Sequence, residues 1–314
     1  MPELPEVETT TRGLRKEVVG LTIKDVWTDL NTKDKRKNDT VANTKYFKFF
    51  KKEVTGKKII SAERRAKNIL INLSNQKTIL VHMKMTGHLL YGKYKFGLFK
   101  DGPWGGSLKD RPFWIPDGEK TPLHDPYNRF IHFVFILSNG KHLVFCDTRK
   151  FGKITTLDTK TMHESKHLDG IGPEPLLKSF DLKELKKCLS KKPKGKTKTV
   201  LMDQSVIAGI GNIYSDEILW RIGVHPERPA SKITGKEMIL MLKAIKETLS
   251  KGIDFGGDSM SDYRNIYGLR GKFQLHHKAY QRAGEKCQKK DCTGTIKRKI
   301  INSRSTHFCD SHQK

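Results

Sequence analysis

The sequence lacks any apolar run near the roughly 20 residues that a membrane-spanning helix needs. Its opening, MPELPEVET, has three glutamates and no basic stretch followed by an apolar one, so it does not read as a secretion signal. Acidic residues are also scarce, with 34 Asp and Glu against 61 Lys and Arg. These absences predict a soluble, cytoplasmic protein with no membrane partner.

The resulting formal net charge of +27 raises the local concentration of polyanions. Nucleic acid and an anionic membrane surface are the two partner classes that this charge favours, and we favour nucleic acid. A basic surface that is merely solvated would give the same composition. Charge alone therefore indicates a partner class and no activity.

Cysteine is sparse, and its placement argues against a disulfide framework. Three of the five cysteines fall in the last 28 residues, as is typical of a metal site in a reducing compartment. The pairs Cys287-x4-Cys292 and Cys309-x2-His312 have the spacing of tetrahedral zinc ligands. Four protein ligands leave no position for water, so we predict one structural Zn2+. His307 is an alternative fourth ligand, and unliganded cysteines in a basic tail are the other interpretation.

The pattern of the chain predicts an α+β protein of several domains. Residues 1–155 read as a strand-rich domain with a leading helix, interrupted by a long surface insertion at about 92–126. Residues 156–178, with Gly172-Pro173-Glu174-Pro175, read as a linker. Helical periodicity dominates 179–280, where Thr234-x-x-Glu237 is a capping box. Residues 281–314 form a metal module, predicted as a β-hairpin that turns at Asn302-Ser303.

A glycine turn separates two helical stretches in the segment Leu201–Pro226. Gly209-x-Gly211 allows a tight turn, and Asn212 is a candidate N-cap for the helix that follows. Free amides at such a helix start could bind a phosphate. A plain helix hairpin explains the same residues equally well.

Pro2 offers an unusual nucleophile if Met1 is removed, which a small second residue generally permits. The terminal secondary amine would titrate near about 7.7–8.0, so a useful fraction is neutral at physiological pH. Its attack on a sugar C1′ would form an iminium, and Glu3 and Glu6 are close enough in the chain to transfer protons. These residues taken alone are also consistent with a simple helix start.

The opening MPELPEVET, the segment GIGNIY and the terminal metal module together resemble the formamidopyrimidine-DNA glycosylases of bacterial type, over nearly the full length. The resemblance implies an N-terminal β-sandwich, a helix–two-turn–helix domain and a C-terminal zinc finger. It also implies a monomeric glycosylase and abasic-site lyase that excises oxidised purines (8-oxoguanine, formamidopyrimidines) from damaged double-stranded DNA. That activity would use base flipping, a Schiff base at Pro2 and β,δ-elimination.

The resemblance also implies roles for individual residues. Pro2 would be the nucleophile, Glu3 the acid that assists sugar-ring opening, and Glu6 a further active-site carboxylate. Lys67 would hold a phosphate near the lesion. Residues expected to occupy the gap left by the extruded nucleotide are Met85, Arg149 and Phe151, a set typical of the oxidised-purine branch.

The remaining expectations from the resemblance concern phosphate contacts and the site periphery. Asn212 and Arg304 would bind phosphate, as would Lys198 less securely. Glu217 matches a family carboxylate, and residues 256–263 correspond to the start of a loop that closes over the extruded base. The sequence departs from the family at His312, where the usual finger has a fourth cysteine, and in the length of the insertion.

Two other classes of function compete with this enzyme. A DNA-binding module that has lost its chemistry would be expected to lack Pro2 or Glu3, and both are present. A zinc hydrolase would need an open coordination position, which four protein ligands exclude. The sequence therefore favours the glycosylase.

Overall fold

The computed structural model describes residues 1–98 and 112–314, which divide into two compact units. The first unit comprises Met1–Pro2, Glu6–Asp169 and Gly256–Gly271. The second comprises Glu3–Pro5, Gly170–Phe255 and Lys272–Lys314. Each unit has its own apolar core.

Two four-stranded antiparallel sheets form the first unit. In chain order its elements are α1 Leu4–Glu17, β1 Ile23–Thr28, α2 Thr44–Val54, β2 Ile59–Arg65, β3 Asn68–Leu73, β4 Lys77–His82, β5 His88–Gly92, β6 Tyr94–Gly97, β7 Phe113–Pro116, β8 Ile131–Leu137, β9 His142–Cys146 and β10 Lys153–Asp158. The strand orders are β1-β8-β9-β5 and β10-β4-β3-β2. Side chains of both sheets and of α1 share one core, which confirms the sandwich with a leading helix.

Helix α1 forms where the sequence predicted it. Val7, Leu14 and Val18 follow the helical period and are fully buried. Gly20 follows the helix with φ +90°, a conformation that glycine adopts without steric cost. The apolar stripe of α1 therefore faces the core of the sandwich.

The insertion contains a strand pair that the sequence analysis did not predict. Strands β6 and β7 are antiparallel, with Tyr94 opposite Pro116 and Gly97 opposite Phe113. Trp114 packs against Trp27 and Phe96. These aromatic contacts are made between residues distant in the sequence, so the local pattern gave little sign of them. Residues 99–111 of the insertion lie outside the described residues.

The second unit is helical and ends in a hairpin. Its elements are α3 Leu182–Ser190, α4 Thr197–Met202, α5 Asn212–Ile222, α6 Gly235–Asp254, β11 Lys297–Ile301 and β12 Arg304–Phe308. The capping box at Thr234 and Glu237 is present at the start of α6, as predicted. Asn302 and Ser303 both have positive φ and turn β11 into β12, which confirms the hairpin. In the described residues, no helix has the length and apolar character needed to cross a bilayer.

Candidate functional site

The glycine turn of the second unit holds the Glu3 carboxylate. Glu3 is 2% exposed, and its Oε1 accepts a hydrogen bond of 2.9 Å from the backbone N–H of Ile213. A Cβ on Gly211 would lie 2.4 Å from the carboxylate carbon, and Gly209 has φ +85°. The two glycines are therefore needed for different reasons, one for the close approach of Glu3 and the other for the turn.

Helix α5 begins directly at this carboxylate. The residue that precedes the helix is Gly211, so the expectation that Asn212 caps it is wrong: Asn212 is the first helical residue. The amide of Asn212 instead donates to the carbonyl of Ser305, at 3.0 Å. Its side chain thus joins the start of α5 to strand β12.

The three candidate phosphate-binding residues of the second unit lie at Ser305 or next to it in the chain. The Lys198 ammonium donates to Ser305 O at 3.2 Å, and Arg304 is the exposed residue that precedes Ser305. Lys198, Asn212 and Arg304 come from α4, α5 and β12, respectively, so the fold brings together residues far apart in the sequence. Their contacts with phosphate stay predictions.

Lys198 also belongs to a buried ion pair that the sequence did not reveal. Its ammonium is 2.6 Å from Asp216 Oδ1 and 2.8 Å from Thr306 Oγ1, and both side chains of the pair are almost fully buried. Asp216 accepts a second hydrogen bond from the backbone N–H of His307, at 2.9 Å. Burial lowers the pKa of Lys198, while the Asp216 carboxylate opposes that shift. The pair ties α4 and α5 to β12.

In the first unit, Glu6 holds the segment Gly256–Gly271. Glu6 is 1% exposed, and its Oε1 accepts a 2.7 Å hydrogen bond from the backbone N–H of Asp258. The Tyr263 hydroxyl donates to the main-chain carbonyl of Glu6, at 3.0 Å. Pro2 is buried, whereas Met1 is 44% exposed. Glu6 therefore has a structural role in holding this segment, in addition to the catalytic role that the sequence predicts.

Lys67 lies in the two-residue turn between β2 and β3, where Ala66 has φ +52°. It is 5% exposed. The pKa of nearby His82 is lowered to about 3, mainly by burial and further by the positive charges of Lys84 and Lys67. The neutral ring accepts the backbone N–H of Lys84 at its Nδ1, at 3.0 Å.

The three candidate gap-filling residues lie on two loops of the first unit. The Arg149 guanidinium lies 4.6 Å from the centre of the Phe151 ring, and Phe151 is 47% exposed. Phe151 and Met85 both line a cavity of about 470 Å³ whose other walls include Lys84 and Lys153. Two apolar side chains that line one cavity together with half-buried lysines are suited to contact with unstacked bases and phosphates.

Asp147 joins these two loops and was missed by the sequence analysis. Its carboxylate accepts the backbone N–H of Gly152 at 2.6 Å and that of Arg149 at 3.3 Å. It also accepts the hydroxyl of Thr86, the neighbour of Met85. Asp147 begins the run DTRKFG, so a signal was present in the sequence, but its partner Thr86 was not predictable.

The four candidate zinc ligands converge as predicted. One atom from each of Cys287, Cys292, Cys309 and His312 lies within 4.8 Å of the others, so the cluster could hold a metal ion. Cys292 Sγ is 3.7 Å from Cys309 Sγ, and Cys287 Sγ is 3.3 Å from His312 Nδ1. Tetrahedral zinc with bonds of about 2.3 Å to sulfur requires a sulfur separation of about 3.8 Å, so the donor set fits. His307, the alternative ligand, instead faces Asp216.

The metal cluster is attached to the C-terminal end of α5. His312 Nε2 donates to the carbonyl of Trp220 at 3.0 Å, which leaves Nδ1 facing the cysteines. The Trp220 indole N–H donates to Cys287 Sγ at 3.3 Å. Backbone N–H of Lys314 and the amide of Gln313 donate to the carbonyls of Gly223 and Val224. The finger thus donates hydrogen bonds to carbonyls in the last turn of α5 and in the two residues that follow the helix.

Glu217 holds the segment of chain that leads into the finger. Its carboxylate accepts the backbone N–H groups of Lys278, Ala279 and Tyr280 at 2.8–2.9 Å. Burial raises the pKa of Glu217, and these hydrogen bonds oppose the shift. The carboxylate therefore fixes residues 278–280 against α5.

Comparison with known proteins identifies the class defined by the two sheets, the helical unit and the Cys/His hairpin. Residues 1–154 match the formamidopyrimidine-DNA glycosylase N-terminal domain, and residues 171–264 match the H2TH domain of the same family. The formamidopyrimidine-DNA glycosylase of Herpetosiphon aurantiacus is 35% identical over 313 residues, covering 98% of both chains. That of Pelotomaculum thermopropionicum is 34% identical and covers 100% of this chain and 99% of its own.

Solved structures lead to the same family. The Lactococcus lactis protein in complex with abasic-site DNA has a TM-score of 0.78 and 29% identity, covering 99% of both chains. Its complex with DNA containing N7-benzyl-Fapy-dG has a TM-score of 0.79 at 29% identity and full coverage of both chains. The chain belongs to the formamidopyrimidine-DNA glycosylase family. It is a DNA-binding enzyme of DNA repair, in a family of DNA glycosylases.

Proposed function

We propose that this enzyme excises oxidised purines, 8-oxoguanine and formamidopyrimidines, from double-stranded DNA and then cleaves the strand at the abasic site. The observation that carries the proposal is the Glu3 carboxylate, which directly follows Pro2 and is fixed by the N–H of Ile213. A carboxylic acid held beside a chain-terminal secondary amine supplies the acid and the nucleophile that the reaction needs. Family membership supports the same chemistry.

The reaction begins at Pro2 after Met1 is removed. The lone pair of the proline nitrogen attacks C1′ of the extruded nucleotide, and the glycosidic bond breaks as the base leaves with the bonding electrons and takes up a proton. Glu3 donates a proton to O4′ as the sugar ring opens, which leaves an iminium between C1′ and the proline nitrogen. Glu6 serves as a further active-site carboxylate.

The iminium then acts as an electron sink. It acidifies the C2′ hydrogen, whose loss as a proton expels the 3′ phosphate by β-elimination. A second elimination expels the 5′ phosphate, and water hydrolyses the remaining iminium to release the sugar fragment as an aldehyde and return the free amine of Pro2. No activated water is needed in the glycosylase step, because the amine is the nucleophile.

The DNA is held by contacts that support this geometry. Lys67, Asn212 and Arg304 bind phosphates around the lesion, and such contacts fix position without reading sequence. Lys198, whose ammonium is buried against Asp216 and the carbonyl of Ser305, supports the residues around Ser305 from inside. Met85 and Phe151 occupy the gap left by the extruded nucleotide, and Arg149 donates to the orphaned base. Extrusion costs a few kcal/mol and less for a damaged base, which contributes to selectivity.

The metal of the C-terminal cluster is one structural Zn2+, held by the three cysteines and His312. Zinc supplies folding free energy to the hairpin and no chemistry, because four protein ligands saturate it. The hairpin in turn presents Arg304 beside Asn212. The enzyme acts on DNA as a monomer in the cytoplasm, associated with the nucleoid.

Borohydride trapping tests this function. Incubation with an oligonucleotide duplex that contains 8-oxoguanine opposite cytosine, under reduction, is expected to give a covalent protein–DNA adduct. Mass spectrometry of the intact protein and of the adduct reports whether Met1 is absent and whether Pro2 carries the sugar. Pro2→Leu, which removes the secondary amine and retains Met1, is expected to abolish the adduct.

The matched control is Pro229→Leu, which makes the same substitution in the second unit and leaves the chain terminus unchanged. It is expected to retain trapping. A processed wild-type N-terminus that leaves the damaged duplex intact and gives no adduct would refute the proposed chemistry.

A further inference from the structure

The segment Gly256–Gly271, called here the capping segment, packs within the first unit although both its neighbours in the chain belong to the second. Glu6 holds its first part through Asp258 and Tyr263. The backbone N–H of Tyr91, at the end of β5, donates to the carbonyl of Ile266 at 2.7 Å. Ile266 itself is 1% exposed and joins the core of the sandwich.

Arg264 lies at the centre of the capping segment and is 2% exposed. Its Nε and Nη2 donate to the two carboxylate oxygens of Asp125, at 3.0 and 3.2 Å. Nη1 donates to the carbonyls of Ser261 and Tyr263, at 2.9 and 3.0 Å. The ring of Tyr127 lies 4.7 Å from the guanidinium carbon. A buried arginine with a bidentate carboxylate and two carbonyl acceptors fixes the local backbone in one geometry.

Asp125 belongs to a second segment, residues 121–128, called here the brace. The Asn128 amide donates to the carbonyls of Pro122 and Leu123, at 3.0 and 3.3 Å. Asn128 Oδ1 is in turn 2.9 Å from the ring Nε2 of His88 on β5. The brace is thereby attached to the sandwich independently of the capping segment.

The two segments also meet along their backbones. Gly268 has φ +80°, and a Cβ at this position would lie 2.6 Å from the carbonyl atoms of Pro122. Only glycine allows that approach. The brace therefore contacts the capping segment at two separate places, Arg264 and Gly268.

We propose that Asp125 and Arg264 are positioning residues that set the conformation of the capping segment and thereby determine recognition of the damaged base. The inference rests on the proposed function and on the expectation from the family resemblance that residues 256–263 begin the loop that closes over the extruded base. By this contact the end of the long insertion, residues 121–126, would help to position the capping segment. The ion pair does not touch the reacting atoms.

Two reactions of the proposed enzyme depend differently on this brace. Excision of an oxidised purine needs the extruded base to be held while the glycosidic bond breaks. Strand cleavage at a preformed abasic site needs Pro2 and Glu3, but no base is present to be held. Loss of the brace is therefore expected to impair the first reaction selectively.

The experiment compares Asp125→Asn with the wild-type protein on two duplexes, one with 8-oxoguanine and one with an abasic site. Asparagine keeps the shape of the side chain and removes the negative charge from Arg264. Misplacement of a substrate-positioning group by about 1 Å can cost about 100-fold in rate, so we expect kcat/KM for base excision to fall by about tenfold or more. Cleavage at the abasic site is expected to stay within about twofold of wild type. Hydrogen exchange at residues 265–271 should become faster, because these amides lose their fixed neighbour.

Arg264→Lys keeps the charge but not the forked geometry, and it is expected to behave in the same way. It replaces Asp125→Asn if that variant does not fold. Asp117→Asn is the matched control, since Asp117 lies in the same insertion but pairs with Lys95 at 3.4 Å on the surface. It is expected to leave both reactions and the exchange unchanged.

Equal losses in both reactions, or no loss in either, would overturn the proposal. If wild-type protein processes neither duplex, the proposed function fails. Comparing hydrogen exchange of Asp125→Asn with that of wild type then tests by itself whether the brace fixes the capping segment. Faster exchange confined to the capping segment would support the brace, and unchanged exchange would contradict it.

Discussion

The buried pair of Lys198 and Asp216 gives the sharpest stability prediction. Asp216 pairs with the Lys198 ammonium at 2.6 Å and accepts a hydrogen bond from the N–H of His307 at 2.9 Å, and its side chain is fully buried. In Asp216→Asn, one carboxylate oxygen becomes an amide donor that faces another donor, and the lysine charge stays buried without its counter-charge. Removing one partner of a buried pair costs about 3–5 kcal/mol.

We therefore expect the unfolding free energy of Asp216→Asn to fall by about 3 kcal/mol, a large part of the roughly 5–15 kcal/mol typical of a folded domain. Urea unfolding followed by tryptophan fluorescence and circular dichroism measures this loss. The double variant Asp216→Asn with Lys198→Met removes the stranded charge as well. It is expected to regain at least about 1 kcal/mol relative to the single variant, since buried pairs replaced by apolar groups are often near neutral.

Glu247→Gln is the matched control, because Glu247 pairs with Arg221 where both side chains are at least 40% exposed. An exposed pair contributes about 0–1 kcal/mol, so this variant should unfold close to wild type. The electrostatic reasoning would be refuted if Asp216→Asn matched the control, or if the double variant were less stable than the single one.

Two further predictions concern Glu3 and pH. Gly211→Ala places a methyl group 2.4 Å from the Glu3 carboxylate carbon, so it should lower the unfolding free energy by about 1–3 kcal/mol and remove most of the glycosylase activity. The control Gly235→Ala has open space around its added Cβ and should change neither quantity. Equal effects of the two variants in denaturation and activity assays would contradict this. Because the pKa of His82 is lowered to about 3, the unfolded chain takes up a proton below about pH 6.5 that the folded chain does not, so acid should reduce the unfolding free energy by about 2 kcal/mol at pH 5 through this group. His82→Asn should flatten the fall between pH 7 and 5, and the exposed His163→Asn should not; an identical pH profile for His82→Asn would exclude this origin.

The parts of the fold that follow from local chemistry were predictable. The stripe of Val7, Leu14 and Val18 predicts α1, and Thr234 with Glu237 predicts the start of α6. The spacing of the cysteines and His312 predicts the metal cluster, because ligand pairs at short spacing have few ways to converge. Each of these signals lies within a few residues of the sequence or in a known spacing.

The contacts that organise the candidate site were not predictable in this way. Asp216 meets His307 across 91 residues, and Arg264 meets Asp125 across 139. A single buried carboxylate has no sequence period and no fixed distance to its partner. The β6–β7 pair was missed for the same reason, since its aromatic contact with Trp27 becomes visible only after folding.

Helix α5, with 11 residues, is a rod of about 16 Å whose two ends serve different tasks. The Glu3 carboxylate accepts a hydrogen bond from its first turn, and His312 of the cysteine–histidine cluster donates to the carbonyl of Trp220 in its last turn. If the cluster binds the proposed Zn2+, a chelator that removes it should therefore loosen the last turn of α5 and, through the helix, the position of Glu3, the proposed proton donor. Oxidation of the finger thiols should then lower the proposed glycosylase activity as well as DNA affinity, although the proposed Zn2+ has no chemical role in the proposed reaction.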